Sequence, residues 1–113
     1  PAHFVSAAYD LPVLTVIMNN KMWGSVRKAT LGLYPEGAAS SANQAPLTYL
    51  DPAPEYHKVV EASDGYGEEV RDPGELPAAL ERGIKAVDVE GRTAVINVHT
   101  TYDDLAAKAD AVR

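Results

Sequence analysis

Cysteine is absent from this chain. That excludes a disulfide framework, a thiolate nucleophile and any cysteine-built zinc site. Runs of lysine or arginine are also missing and the formal net charge is -6, so there is no basic footprint for nucleic acid. No apolar stretch approaches the ~20 residues of a membrane-spanning helix, and nothing at the start resembles a secretory leader. The expectation is a cytoplasmic protein without nucleic-acid or membrane partners. There is no internal repeat and a single Trp. An initiator Met is lacking too: the chain opens Pro1-Ala2-His3-Phe4, already in helix-like sequence, which reads as a piece of a longer polypeptide. What is present is ordinary for one globular domain, 113 residues of which 46% are hydrophobic and 23% charged.

Residues 4–9 read as the end of a helix that Asp10 leaves and Pro12 stops. Residues 13–18 (Val-Leu-Thr-Val-Ile-Met) are apolar on both faces apart from Thr15, the pattern of a strand covered on both sides in a parallel sheet. A second helix is expected over about 22–33, with Val26, Thr30 and Leu33 on its inner stripe and Arg27 and Lys28 outside. Residues 36–46 are small, polar and without period, hence a loop. A short helix follows Asp51-Pro52, with Tyr56, Val59, Val60 and Ala62 as its apolar content, and residues 65–70 turn into a short strand. Asp72-Pro73-Gly74-Glu75 is a helix start with an acidic cap and Pro at the first position. Leu76, Leu80, Ile84 and Val87 are its expected inward side chains. Residues 93–98 form a third strand and 103–112 a last helix. Strands alternating with helices give the α/β class: a three-layer arrangement, a parallel sheet with helices on both faces. Three strands make a thin sheet, such as the second half of a doubly wound domain would show.

The first strand ends in Asn19-Asn20, and the carboxyl ends of strands are where open α/β sheets bind ligands. Asn favours strand ends and turns in any case. The alternative is that a carboxamide oxygen ligates a hard cation such as Mg²⁺, which takes oxygen ligands and shares them with phosphate. A backbone carbonyl just beyond it offers a further ligand, and the helix starting near Met22 aims free N–H groups at the same place. Trp23 reads equally as a packed helix-start residue or a pocket lining, and Gly24 as a close-approach point or an easy turn. His3, His57 and His99 lack metal-ligand spacing, with His99, near a strand's carboxyl end, a secondary pocket candidate. Glu68-Glu69 and Asp103-Asp104 read as solvated edges or caps. No Ser/His/Asp constellation emerges.

Asp10-Leu11-Pro12-Val13-Leu14-Thr15-Val16-Ile17-Met18-Asn19-Asn20 with Trp23-Gly24 and Arg27 closely resembles the thiamine diphosphate-binding domain of the acetolactate synthase and benzoylformate decarboxylase family. The resemblance continues through Pro46-Leu47-Thr48, Asp51-Pro52, Glu61-Ala62, Gly65-Tyr66-Gly67 and Glu75-Leu76-Pro77-Ala78-Ala79-Leu80. It implies that residues 1–113 are the C-terminal portion of that cofactor-binding fold. It implies thiamine diphosphate and Mg²⁺ as cofactors, with Asn20 as side-chain metal ligand and the Met22 backbone carbonyl as another. Trp23 and Gly24 adjoin the cofactor, and Asn19 supports the turn. The family's Gly-Asp-Gly, whose Asp is the other metal ligand, is not in this sequence; the motif's layout puts it before Pro1. The catalytic Glu belongs to another domain of the family, so no catalytic residue is assigned to this chain.

The resemblance implies a 2-oxo acid decarboxylase or acetolactate synthase-like activity for the full polypeptide, a lyase or transferase. The isolated chain is expected to be inactive and to bind its cofactors weakly or not at all. Its expected partners are the rest of the parent polypeptide, a 2-oxo acid substrate and further copies of itself in a homo-oligomer. The alternatives are a non-catalytic flavodoxin-like or Rossmann-like interaction module, or one half of a split enzyme.

Overall fold

The computed structural model describes residues 2–42 and 47–101. The chain divides into two compact units, Pro1–Asn19 with Ala53–Thr100, and Asn20–Pro52 with Thr101–Arg113. The helix expected over 103–112 and the pair Asp103-Asp104 lie outside the described residues, as do residues 43–46 of the expected loop.

The first unit is a parallel sheet built on its last strand. Helix α1 (Ala2–Ala8) leads into β1 (Leu14–Asn19), and α4 (His57–Glu61) precedes β2 (Tyr66–Val70). Helix α5 (Leu76–Asp88) then carries the chain to β3 (Ala94–His99). The strand order is β1-β3-β2, and β3 pairs in parallel with both neighbours, Leu14 and Tyr66 each lying opposite Ala94. Thr-Ala-Val-Ile-Asn-Val reads as a central strand because β-branched side chains suit a pleat that is covered on both faces. Residues Ala94 to Val98 are all buried.

Helices cover opposite faces of this sheet. A Cβ on Gly67 would lie 2.2 Å from the His57 carbonyl oxygen, which sets α4 on the Gly67 face. A Cβ on Gly83 would lie 3.2 Å from Ile96 Cδ1, and Ile96 is paired with Glu68, on the other face. The core on the α5 side is Val70, Ala79, Ile96 and Val98, flanked by Leu14, Tyr66 and Leu76. The α/β architecture with a parallel sheet and helices on both faces is therefore present.

Asp72 starts the α5 region as expected, its carboxylate accepting from the Gly74 N–H at 2.8 Å. Pro73–Glu75 forms a 3₁₀ turn before the α-helix proper. The buried face of α5 differs from the expected one. Ala79, Gly83 and Ala86 are its buried residues, and Ile84 is 49% exposed. Small residues face the sheet because the helix approaches closely, leaving the strands' own branched side chains to fill the interface. Leu76, Leu80 and Val87 flank that contact half-buried.

β1 also departs from expectation. It was read as covered on both sides, yet Val16 is 40% and Met18 63% exposed. Among the described residues β1 pairs only with β3, so a continuous apolar pattern here accompanies an edge position. At its start, Asp10 takes a positive φ of 53°, and the Leu11 N–H returns to the Ser6 carbonyl at 2.9 Å. The Ser6 hydroxyl meets that of Thr93 and donates to the Leu11 carbonyl, pinning α1 to the root of β3.

The second unit holds α2 (Gly24–Leu33) and the one-turn α3 (Ala38–Ser41) inside the segment read as pure loop. Residues 21–23 run antiparallel to 48–50, with Trp23 N–H to Thr48 O at 2.7 Å and Leu50 N–H to Lys21 O at 2.8 Å. The expected inner stripe of α2 is wrong. Arg27 is 3% exposed, whereas Val26 is 51% and Leu33 74% exposed. With few large apolar side chains, the helix had no strong hydrophobic face to dictate its orientation, and a long arginine stem can be buried instead.

Replacing Gly67 by Ala forces a methyl group against backbone and is expected to cost about 1–3 kcal/mol. Gly32, whose added Cβ meets nothing within 4 Å, is the control: Gly32→Ala is expected to be neutral or to gain up to about 1 kcal/mol from helix propensity. Urea denaturation of both variants checks this. An unchanged Gly67→Ala midpoint would refute the close packing of α4 on β2.

Candidate functional site

β1 ends in a side chain that is committed to structure. Asn19 is 3% exposed and donates from Nδ2 to the Pro54 carbonyl at 3.0 Å, while its own carbonyl accepts from the Thr100 N–H at 2.9 Å. Asn19 thus ties the end of β1 to the segment before α4 and to the end of β3.

Asn20 opens the second unit. Its Oδ1 accepts from the Met22 N–H at 3.1 Å, closing a turn in which Lys21 adopts φ 58°. An Asn side chain that mimics the backbone in this way favours such a turn. The bond fixes the carboxamide, and an amide oxygen retains a second lone pair. The Met22 carbonyl accepts from no backbone N–H among the described residues. Trp23, at the cap of α2, supplies no side-chain acceptor, and the first turn carries no acidic residue. Among the described residues the N–H groups of Gly24, Ser25 and Val26 are thus left without protein partners, the situation that makes a helix start receptive to an anion.

An open cavity of about 420 Å³ lies here, lined by Asn20, Met22, Gly24, Ser25 and Lys28. Of the residues nominated from sequence, Asn20, Met22 and Gly24 come together on its wall. Trp23 does not; it is 57% exposed beside the cavity. Ser25 and Lys28 were missed. Lys28 was legible as the residue one turn beyond Gly24, since i and i+4 share a helix face and side chains lean toward the N-terminus.

A second polar cluster occupies the carboxyl end of β3 and β2. Asn97, fully buried, donates from Nδ2 to Pro54 O at 3.3 Å, with His57 Nδ1 3.5 Å away. His99 Nε2 lies 2.7 Å from Glu69 Oε1, and Arg71 grips the same carboxylate with two bonds of 2.9 and 3.0 Å. Those bonds, Arg71's first and His99's second, hold the Glu69 carboxyl down at about 2. Glu68 is likewise lowered, chiefly by the Arg82 guanidinium, and it also accepts from the Tyr66 hydroxyl. Glu68 and Glu69 are therefore not the solvated edges expected: both are ion-paired on the sheet. Only the strand register, which sets Glu69 opposite Asn97, reveals this. His99, its side chain 10% exposed, belongs to the cluster; like it, His3 and His57 are half-buried. Among the described residues no three His, Cys, Asp or Glu side chains assemble as a metal centre, and no helix is long and apolar enough to cross a membrane.

Residues 2–98 match the family model described as thiamine pyrophosphate enzyme, C-terminal TPP binding domain. A probable acetolactate synthase of Mycobacterium bovis is 35% identical over 92 residues, covering 81% of this chain and 15% of the relative. The acetolactate synthase large subunit of Mycobacterium tuberculosis gives the same figures, 35% identity over 81% of the chain and 15% of its own length. A 2-hydroxyacyl-CoA lyase of Oryza sativa is 35% identical over 94 residues, 80% of the chain and 14% of the relative. The chain thus spans only about 15% of the length of the curated relatives it matches. No solved structure matches significantly.

Glu69 is a pH-dependent element of the fold. Its carboxyl is lowered on folding to about 2, so between the unfolded value near 4.3 and 2 the unfolded chain binds the extra proton. The ion pair's contribution is fully present above about pH 4.3 and is lost as pH falls through that window. Glu69→Gln is expected to flatten the dependence of unfolding free energy on pH between about 4.3 and 2 relative to wild type. Denaturant titrations at several pH values measure it; parallel curves for the two proteins would refute the pairing.

Proposed function

The chain belongs to the thiamine pyrophosphate enzymes as their C-terminal TPP-binding domain, and from that premise we propose that residues 20–28 anchor the diphosphate of thiamine diphosphate through Mg²⁺. The observation that carries the reading is the turn at Asn20: the Met22 N–H holds the carboxamide on the wall of the cavity, 3.1 Å away. The donor set suits a hard cation, with the second lone pair of Asn20 Oδ1 and the Met22 carbonyl as oxygen ligands. The diphosphate suits the three unpartnered N–H groups of Gly24, Ser25 and Val26. The residues present thus fit both groups.

When bound, thiamine diphosphate supplies a carbon nucleophile for the carbonyl of a 2-oxo acid. The chain's own part is to hold and orient. Asn20 and the Met22 carbonyl would hold the metal, the N–H groups of the first turn of α2 would donate to phosphate oxygens, and Gly24 leaves the helix start unobstructed. None of these groups moves a proton. The parent polypeptide is read as a decarboxylase or acetolactate synthase-like lyase or transferase, assembled as a homo-oligomer, with its acid/base residues outside this chain.

On this reading the isolated chain is inactive and binds weakly, because Asn20 and Met22 supply only part of a coordination shell. A dissociation constant for Mg²⁺–thiamine diphosphate in the millimolar range, about 4 kcal/mol, is expected from chemical-shift titration. Asn20→Ala should weaken it about tenfold or more, with shifts at Gly24 to Val26 lost first. Micromolar affinity, or binding indifferent to Asn20→Ala, would overturn the assignment.

A further inference from the structure

We propose that Asn97 and His99 form a second cation site, separate from the Asn20 turn, that takes a borderline divalent transition-metal ion such as Zn²⁺, Co²⁺ or Ni²⁺. The two residues are neighbours on one face of β3, since side chains alternate along a strand. Across the ladder Asn97 lies opposite Glu69 and His99 opposite Asn19. Asn97 is 0% exposed and the His99 side chain 10%. Among the described residues each keeps one buried polar atom that no hydrogen bond reaches, Oδ1 of Asn97 and Nδ1 of His99.

Their other polar atoms decide what those two free atoms are. Asn97 Nδ2 is spent on the Pro54 carbonyl at 3.3 Å, which leaves Oδ1 as the free end of the amide. Glu69 is ionised, gripped by Arg71, and takes the Nε2–H of His99 at 2.7 Å. A neutral imidazole that donates from Nε2 presents a bare lone pair at Nδ1. Two buried acceptors two positions apart on one strand face, neither met by a donor among the described residues, call for a positive or donating guest. A carboxylate that fixes the tautomer and ring orientation of a histidine is the usual outer support of a metal-ligating imidazole. Imidazole nitrogen with an amide oxygen suits Zn²⁺, Co²⁺ or Ni²⁺, and the nitrogen disfavours Mg²⁺. Only two protein ligands are available, and Arg71 offsets the charge of Glu69, so water completes the shell and the affinity is modest.

The test is a calorimetric titration of Zn²⁺ into the full chain, with Co²⁺ added to the isotope-labelled chain to locate the ion by NMR. The expected result is one ion per chain, with the largest paramagnetic effects at Asn97 and His99. His99→Gln should abolish binding, and Glu69→Gln, which keeps both ligands, should weaken it about 10- to 100-fold. Circular dichroism of both variants verifies the fold. Asn20→Ala should leave Zn²⁺ binding unchanged. No 1:1 binding, wild-type affinity in His99→Gln or Glu69→Gln, or a crystal grown with Zn²⁺ holding only water at this point each overturn the proposal. Loss in Asn20→Ala with retention in His99→Gln would place the ion at the Asn20 turn instead, sinking this proposal and leaving the cofactor reading intact.

Discussion

The parallel ladder that ties β3 to β1 on one side and β2 on the other fixes the remainder of the first unit. Because β3 has no free edge, its ladder groups are paired within the sheet and its side chains are buried on both faces. The register then leaves little freedom. It puts Gly67 under α4, Ile96 under α5, and the ends of all three strands on one side. A shift of a single residue would exchange the two faces of a strand and turn its buried set outward.

The same ladder creates a polar problem at that end and solves most of it. Asn19 and Asn97 are buried, and both donate from Nδ2 to the Pro54 carbonyl. One half-buried loop carbonyl thereby serves two strands just ahead of α4. Glu69 and His99, adjacent through the register, pair with each other, and Arg71 completes the carboxylate. Half-satisfied buried networks are costly, so the two atoms this network leaves over, Asn97 Oδ1 and His99 Nδ1, are its most informative feature.

The turn at Asn20 works by different physics. There a carboxamide closes on a backbone N–H, Lys21 accepts a positive φ, and α2 begins with no side-chain cap. Uncapped helix starts are costly unless water or a ligand meets their N–H groups. A cofactor-binding segment can afford that exposure because the ligand supplies what the sequence withholds. On the proposed reading the cofactor meets this segment twice, the metal at the Asn20 turn and the phosphates at the helix start.

Much of this was legible in the chain itself. The strands and helices follow from hydrophobic period and from strong punctuation such as Asp72-Pro73-Gly74. The Asn19-Asn20 junction was visible as two carboxamides closing an apolar run, and the residues around it carried the family. The errors share one cause. Val26 and Leu33 were assigned inward, Arg27 outward, Ile84 to the core and β1 to full burial, and each assignment concerns which face meets which neighbour. Periodicity tells that a face exists but not how closely a partner approaches it; Gly83 and Ala79, not Leu80 or Ile84, face the sheet because of that approach.

By itself the sequence determined the three strands, their order among the longer helices, the α/β class and the family, since these depend on local propensity and on motifs contiguous in the chain. The tertiary structure alone decided that Glu69 meets His99, that Asn97 shares Pro54 with Asn19, and that Arg27 rather than Val26 is buried. The first two pairings join residues 30 or more positions apart, and only the strand register brings them within hydrogen-bond reach. No one-dimensional pattern contains that register.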